Sequence, residues 1–182
     1  ASEWRFPALW PSYFGLRNWE QVVSSETGLI SSFFVSTAIS TCVATMATLI
    51  GFFISRAIAY HPLKRTITLL TYFPYILAPV VFAACLSHFF LKLGLFGKPV
   101  GVFVAQFMVA FPYALIFFSS FWGEKTKSYE ELVATLGGNQ WQAFGKVLLP
   151  IAKNMLIICF FQTFLISWFE YGLTSIIGVG KV

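Results

Sequence analysis

The chain has 182 residues, 58% of them hydrophobic, 19% aromatic and 10% charged, with a mean hydropathy of +0.77. A soluble domain carries about one quarter charged residues, so this composition excludes an ordinary globular core and describes an all-α polytopic membrane protein. The formal charge is +5 and every acidic residue is Glu; Lys and Arg do not gather on one face with interleaved aromatics, so the basic excess reads as loop bias at a membrane and not as a nucleic-acid surface.

Residues 1–28 are too polar to span. Glu3, Arg5, Arg17, Glu20 and Glu26 interrupt them, while Trp4, Phe6, Trp10, Tyr13, Phe14 and Trp19 make them strongly aromatic. Such rings sit at the headgroup level, so a short interfacial segment on the outer face is expected, entered through Pro7 and Pro11. A docking platform for an outer partner is the alternative. The start at Ala1 and the stop at Lys181-Val182 read as a segment of a longer protein, or as a mature end left by signal-peptide cleavage.

Four stretches reach the roughly 20 apolar residues that a helix needs to cross the hydrocarbon core. They predict helices at 29–55, 66–91, 100–122 and 154–178, together a transmembrane domain over 29–178 with an outer tail at 179–182. Helix is forced, because backbone groups in lipid need internal partners. In the first span Thr37, Thr41, Ala44, Thr48, Gly51 and Ser55 recur at steps of 4 and 3, one helix face of small residues made for contact with another helix. Pro74 and Pro79 interrupt the second span and Pro112 the third. Each removes a backbone donor and tends to kink its helix; irregular backbone at membrane depth is tolerated beside protein or a water-filled path, so these are candidate pathway positions as well as ordinary kinks.

Between the third and fourth spans lies a loop, 123–153. With this loop inside, the inner segments carry Arg56, Lys64, Arg65, Lys125, Lys127, Lys146 and Lys153, and the single outer loop carries only Lys92 and Lys98, which sets the orientation by the positive-inside rule. Ser128-Tyr129-Glu130-Glu131 has capping-box form, with Glu131 reaching back to Ser128. Leu132, Val133 and Leu136 share one face, and Gly137-Gly138 ends the helix. Asn139-Gln140-Trp141-Gln142 restarts one, with Trp141, Phe144, Val147 and Leu148 as its apolar stripe and Pro150 in the first turn of the next span. Two short helices with greasy faces on the water side need a soluble protein to cover them.

The last span holds one charge, Glu170, flanked by Trp168 and Tyr171. It lies about 16 residues in, roughly 24 Å along a helix at 1.5 Å per residue. Intramembrane carboxylates face a cavity or a partner charge, so Glu170 is either a lining of the substrate route or a carboxylate near the outer interface. Cys42, Cys85 and Cys159 have neither metal nor disulfide spacing and read as small buried residues. No HExxH, nucleophile–base set or carboxylate pair appears, and no metal or cofactor is expected on this chain. A phosphate-binding Walker loop needs Gly-Lys followed by Ser or Thr; Gly97-Lys98, Gly145-Lys146 and Gly180-Lys181 are followed by Pro, Val and Val. Any ATP is therefore bound and hydrolysed by another polypeptide.

Glu131, Gly137, nine further residues and then Val147-x-Leu149-Pro150 resemble the EAA loop of ABC importer permeases of the MetI-like fold, which runs Glu-Ala-Ala, three residues, Gly, nine residues, Ile-x-Leu-Pro. Leu132 and Val133 stand for the two alanines and Val147 for Ile. Trp141-Gln142-Ala143-Phe144, Ser167-Trp168-x-Glu170-Tyr171 and the opening Trp4-Arg5-Phe6-Pro7 to Asn18-Trp19 are also similar to that family, closest to permeases for polyamines, ferric iron, thiamine or inorganic oxyanions. The resemblance implies a multi-pass subunit of the bacterial inner membrane that takes up substrate. Its partners would be cytosolic ATPases, a second permease subunit and an extracytoplasmic substrate-binding protein. It implies ATPase coupling through Glu131, Leu132, Val133, Leu136, Gly137, Trp141, Phe144, Val147, Leu149 and Pro150, with Glu131 paired to a basic residue of the ATPase, or closing the capping box instead. A membrane scaffold or channel whose hairpin docks an unrelated soluble protein is the alternative.

Overall fold

The computed structural model describes residues 29–178. The expected outer interfacial segment, 1–28, and the tail, 179–182, lie outside the described residues. The chain divides into two units, Ala1–Ala38 and Ile39–Val182, and the packing below is that of the second.

The described elements are all helical, with no strand among them: α1 (Leu29–Ala59), α2 (Lys64–Thr71), α3 (Phe73–Ile76), α4 (Pro79–Leu93), α5 (Pro99–Ser119), α6 (Glu124–Thr135), α7 (Gln140–Ala143), a π-helical turn (Phe144–Leu148), α8 (Leu149–Phe169) and α9 (Tyr171–Gly178). Ile30–Ala59, Pro99–Ser119 and Gln140–Phe169 are each long and apolar enough to cross a membrane, and the pair Lys64–Ile76 and Val80–Leu93 makes a fourth crossing if taken together.

Two of the four expected spans are not single helices. The stretch expected at 66–91 is broken into α2, α3 and α4, with a 98° bend between its halves. Proline chemistry explains the break. Leu77 and Ala78 are extended (ψ 137° and 136°), the conformation favoured before a proline such as Pro79, and Pro79 then opens α4, where its missing N–H is harmless. The stretch expected at 154–178 ends as α8 at Phe169, breaks at Glu170 (φ −79°, ψ 72°) and resumes as α9. Pro112, in contrast, stays inside α5, which runs through it.

The central helix is α5, apolar all round, as a buried helix must be. Against it α1 packs through Val43, Ala47 and Ala110 and through Phe52, Ala114 and Phe118; α4 and α9 pack through Ala83, Leu86, Ala105, Leu173 and Ile177. The small-residue face of α1 meets this helix at Gly51, where a Cβ would lie 2.7 Å from Ala114 Cβ, so only glycine allows the approach. Ala44, Thr48, Gly51 and Ser55 are buried, while Thr41 is exposed. Thr163 gives its proton to Cys159 O (2.8 Å) and so accepts from Thr48 at 3.3 Å, tying α1 to α8. Of the cysteines only Cys159 is buried; Cys42 and Cys85 are exposed, contrary to the reading of all three as interior residues, because they sit on helix faces turned away from α5.

Candidate functional site

The hairpin is built from helix-end chemistry. Its first helix starts five residues earlier than Ser128-x-x-Glu131 predicts, capped at position 123 and not 128. Gly123, in extended conformation (φ −144°, ψ −169°), precedes the first turn of α6, Lys127 N–H bonds its carbonyl at 3.1 Å, and the buried Thr126 hydroxyl bonds Phe121 O at 2.6 Å. Ser128 is thus inside the helix and donates back to Glu124 O at 2.9 Å. Glu131 cannot close a capping box there; it is exposed and lies 3.7 Å from Lys127 one turn earlier.

The end of α6 follows the expected glycine chemistry. Gly137 adopts φ +80°, its N–H bonds Ala134 O (3.0 Å), and Gly138 N–H bonds Val133 O (2.9 Å), the paired bonds of a Schellman stop. Asn139 then precedes α7, its N–H held by Gln142 Oε1 at 3.1 Å, the return half of the expected capping box. The second helix is not a separate short piece, however. It runs on through the π turn into α8 as one helix from Gln140 to Phe169. Pro150 accounts for the π turn: it has no N–H for Lys146 O and its ring crowds that carbonyl. The turn widens instead, and Leu149 N–H reaches Phe144 O, five residues back.

The hairpin's apolar residues part into two sets. Leu132, Leu136 and Trp141 are 57%, 80% and 78% exposed; with Tyr129 they form an uncovered tip. Val133, Phe144 and Val147 are half-buried, and Leu149 and Pro150 are exposed. Phe144, expected to face a partner, points inward: it stacks on Phe53 (5.4 Å between centroids) and meets Phe52 (5.9 Å).

That inward set surrounds a joint that the sequence reading missed. Arg56, near the end of α1, bonds Glu130 of α6 at 2.8 Å. Its guanidinium lies 6.0 Å from the Trp122 ring and 5.7 Å from the Phe144 ring, within cation–π range. Trp122 Nε1 donates to Ser55 Oγ at 2.8 Å, and Ser55 donates to Phe52 O. Phe52, Phe118, Trp122, Leu148 and Ala152 close the cluster beneath. One cation therefore locks α1, the end of α5, α6 and the π turn together. The available signal was Arg56 itself, the first charge after a long apolar run, with Glu130 as the unassigned neighbour of Glu131. Tyr60, beside the pair, has its phenol pKa pushed up, first by burial and then by Glu130's charge, with Arg56 opposing. A cavity of about 400 Å³ bounded by Arg56, Tyr60, Glu130, Glu131 and Gln140 opens beside the joint.

The candidate pathway residues fall at two other joints. Pro74 lies in α3, where Tyr75 Oη donates to Val109 O at 2.6 Å, in the turn of α5 that precedes Pro112; Pro79 begins the helix after it. Glu170 sits in the α8–α9 break and caps α9, its Oε1 accepting Leu173 N–H at 3.4 Å. Trp168 stacks on Phe164 (5.6 Å), and Tyr171 is exposed. The break is held by a buried relay also absent from the sequence reading: Ser167 Oγ donates to Gln106 Oε1 (2.6 Å), Gln106 Nε2 donates to Thr174 Oγ1 (2.9 Å), and Thr174 donates to Glu170 O (2.7 Å). Gln106 in the apolar helix α5 was the visible signal.

A family model described as binding-protein-dependent transport system inner membrane component matches residues 43–182. The match takes in more than half of α1, the hairpin and all three joints. No curated protein matches the chain.

Proposed function

Since the chain belongs to the inner-membrane components of binding-protein-dependent transport systems, the permeases of ABC importers, we propose that it forms part of a substrate pathway and takes its motion from a cytosolic ATPase through the 123–153 hairpin. The observation that carries this reading is the division of the hairpin into an uncovered tip and an anchored base. Leu132, Leu136 and Trp141 are exposed, and on the water side of a membrane such an arrangement persists only where another protein covers it. Behind them, Arg56–Glu130 and Phe144 fasten the same hairpin to α1, α5 and α8. A push on the tip is thus delivered to three spans at once.

In this reading the ATPase receives Leu132, Leu136 and Trp141 in a cleft, and Glu131, exposed at the rim of the 400 Å³ cavity, pairs with one of its basic residues. Val133, Gly137, Val147, Leu149 and Pro150 shape the hairpin and do not touch the partner first. ATP is bound and split by that subunit, and the chain itself carries no cofactor. A second permease subunit and an extracytoplasmic binding protein complete the assembly in the bacterial inner membrane. Glu170, with Trp168, Tyr171, Pro74, Pro79 and Pro112, belongs to the joints that let the spans open and close around substrate.

A photo-crosslinking amino acid placed at Leu136 or Trp141 in intact cells tests this directly. The expected product is a covalent adduct with a nucleotide-hydrolysing subunit. Adducts only with lipid, or none, in cells that transport normally would remove the hairpin from the coupling role.

A further inference from the structure

A second cavity, of about 460 Å³, opens between the end of α1, the short helix α2 and the end of α5. Its polar lining is cationic and hydroxylic, with Lys64, Arg65, Thr68 and Ser119, and its apolar lining includes Leu69 and Leu115. Among the described residues no carboxylate pairs with Lys64 or Arg65: Glu124 stands in the first turn of α6, Glu130 is held by Arg56, Glu131 lies by Lys127 and Glu170 caps α9. The two cations also stand in the first turn of α2, which holds no acidic residue, at the positive end of its dipole. They repel each other there and are unfavourably placed until an anion arrives.

We propose that this cavity binds the phosphate of an anionic phospholipid from the leaflet on the hairpin side. A free phosphate or oxyanion shares the headgroup chemistry, but the surroundings favour a lipid. Leu69 beside the basic lining and its neighbour Leu70 are both exposed, which offers acyl chains a continuous apolar wall. The hairpin end of the spans carries Arg56, Lys64, Arg65, Lys125, Lys127, Lys146 and Lys153, so it lies at the cytoplasmic leaflet, and basic pockets between spans on that side suit phosphate headgroups. Lys and Arg stems lie along apolar surface while their charges meet phosphate. Trp122 and Ser55 belong to both this cavity and the Arg56 joint, so a lipid here would brace the base of the hairpin.

The test is native mass spectrometry of the purified transporter, stripped of lipid and titrated with phosphatidylglycerol or phosphatidylcholine. One phosphatidylglycerol should be retained in preference to phosphatidylcholine. Lys64→Gln with Arg65→Gln should weaken it by about 5-fold per charge, roughly 30-fold together, at about one kcal/mol for each basic residue. Lys64→Arg with Arg65→Lys keeps both charges, should retain the lipid, and controls for misfolding. Unchanged phosphatidylglycerol affinity in the Gln pair, or equal retention of phosphatidylcholine by the unaltered protein, overturns the proposal. So does displacement of the lipid by millimolar inorganic phosphate, which would assign the cavity to a soluble anion. The readout is lipid binding, so the result stands apart from ATPase docking.

Discussion

Arg56 does more at this site than any residue singled out in the EAA-like stretch. It is part-buried, as is Glu130, and it serves two kinds of partner, a carboxylate and the faces of Trp122 and Phe144. An exposed ion pair is worth roughly 0.2–1 kcal/mol, and a cation–π contact adds about 0.5–1 kcal/mol. Arg56→Ala is therefore expected to lower stability by about 1–2 kcal/mol, and Glu130→Gln by less, since the aromatic contacts survive. Thermal unfolding of the two single variants and the double variant, read as a cycle, should give a coupling under about 1 kcal/mol. A Glu130→Gln loss equal to that of Arg56→Ala would show the rings to be idle. Arg56→Lys should recover little of the aromatic part, because an ammonium lacks the planar face that stacks on indole.

At the scale of elements, the departures from expectation share one cause: hydropathy records how apolar a stretch is, and helix breaks are written in backbone chemistry. The π turn is the clearest case. If Pro150 forces it, Pro150→Ala should let residue 150 donate to Lys146 O and close the turn to ordinary α-helix. Removing one residue from a turn rotates everything before it by about 100° about the helix axis, which would swing Trp141 away from its present direction. The variant should gain hydrogen-exchange protection at residue 150 and lose transport, and the same rotation should draw Phe144 off Phe52 and Phe53. A variant with full transport and the new protected amide would show that the turn is dispensable. The break at Glu170 behaves differently, being held from outside by Gln106. Gln106→Leu deletes two interhelical bonds worth about 0.6 kcal/mol each, so a loss of about 1 kcal/mol is expected, with faster exchange confined to residues 167–174. Uniformly faster exchange across α5 would mean that Gln106 acts on the helix and not on the break. The two stretches of α5 and α8 that carry Gln106 and Ser167 are read as apolar by any window, and only the single polar letters mark the relay. Likewise Ser128 and Glu131 have the right letters for a cap, yet Gly123 and Thr126 start the helix first. Gly137, Asn139 and Gln142 were legible because their chemistry is local, whereas Arg56, Trp122 and Glu130 meet only after α1, α5 and α6 have packed.

In the whole molecule the proposed function asks the hairpin both to hold its partner and to pass on its motion, and on that proposal the two tasks fall to different residues. Trp141 is 78% exposed, so Trp141→Ala should leave unfolding unchanged. As a central aromatic on the proposed docking tip it has the profile of a hot spot, for which truncation removes about 2–4 kcal/mol of binding, roughly 30- to 1,000-fold. Arg56→Ala leaves the tip intact and loosens its fastening to α1, so the assembly should form with near-normal affinity while ATP hydrolysis no longer drives uptake. Co-purification of the ATPase, nucleotide hydrolysis in the reconstituted complex and substrate accumulation in vesicles separate the two. Trp141→Ala should lose the ATPase and all that follows; Arg56→Ala should keep the ATPase and its hydrolysis and lose accumulation. If both variants shed the ATPase to the same degree, base and tip are one docking surface, and the division of labour drawn from Phe144, Glu130 and Leu136 is wrong. If Arg56→Ala transports normally, the spans receive their motion by the continuous helix from Gln140 to Phe169 alone, and the ion pair serves only to stabilise the fold.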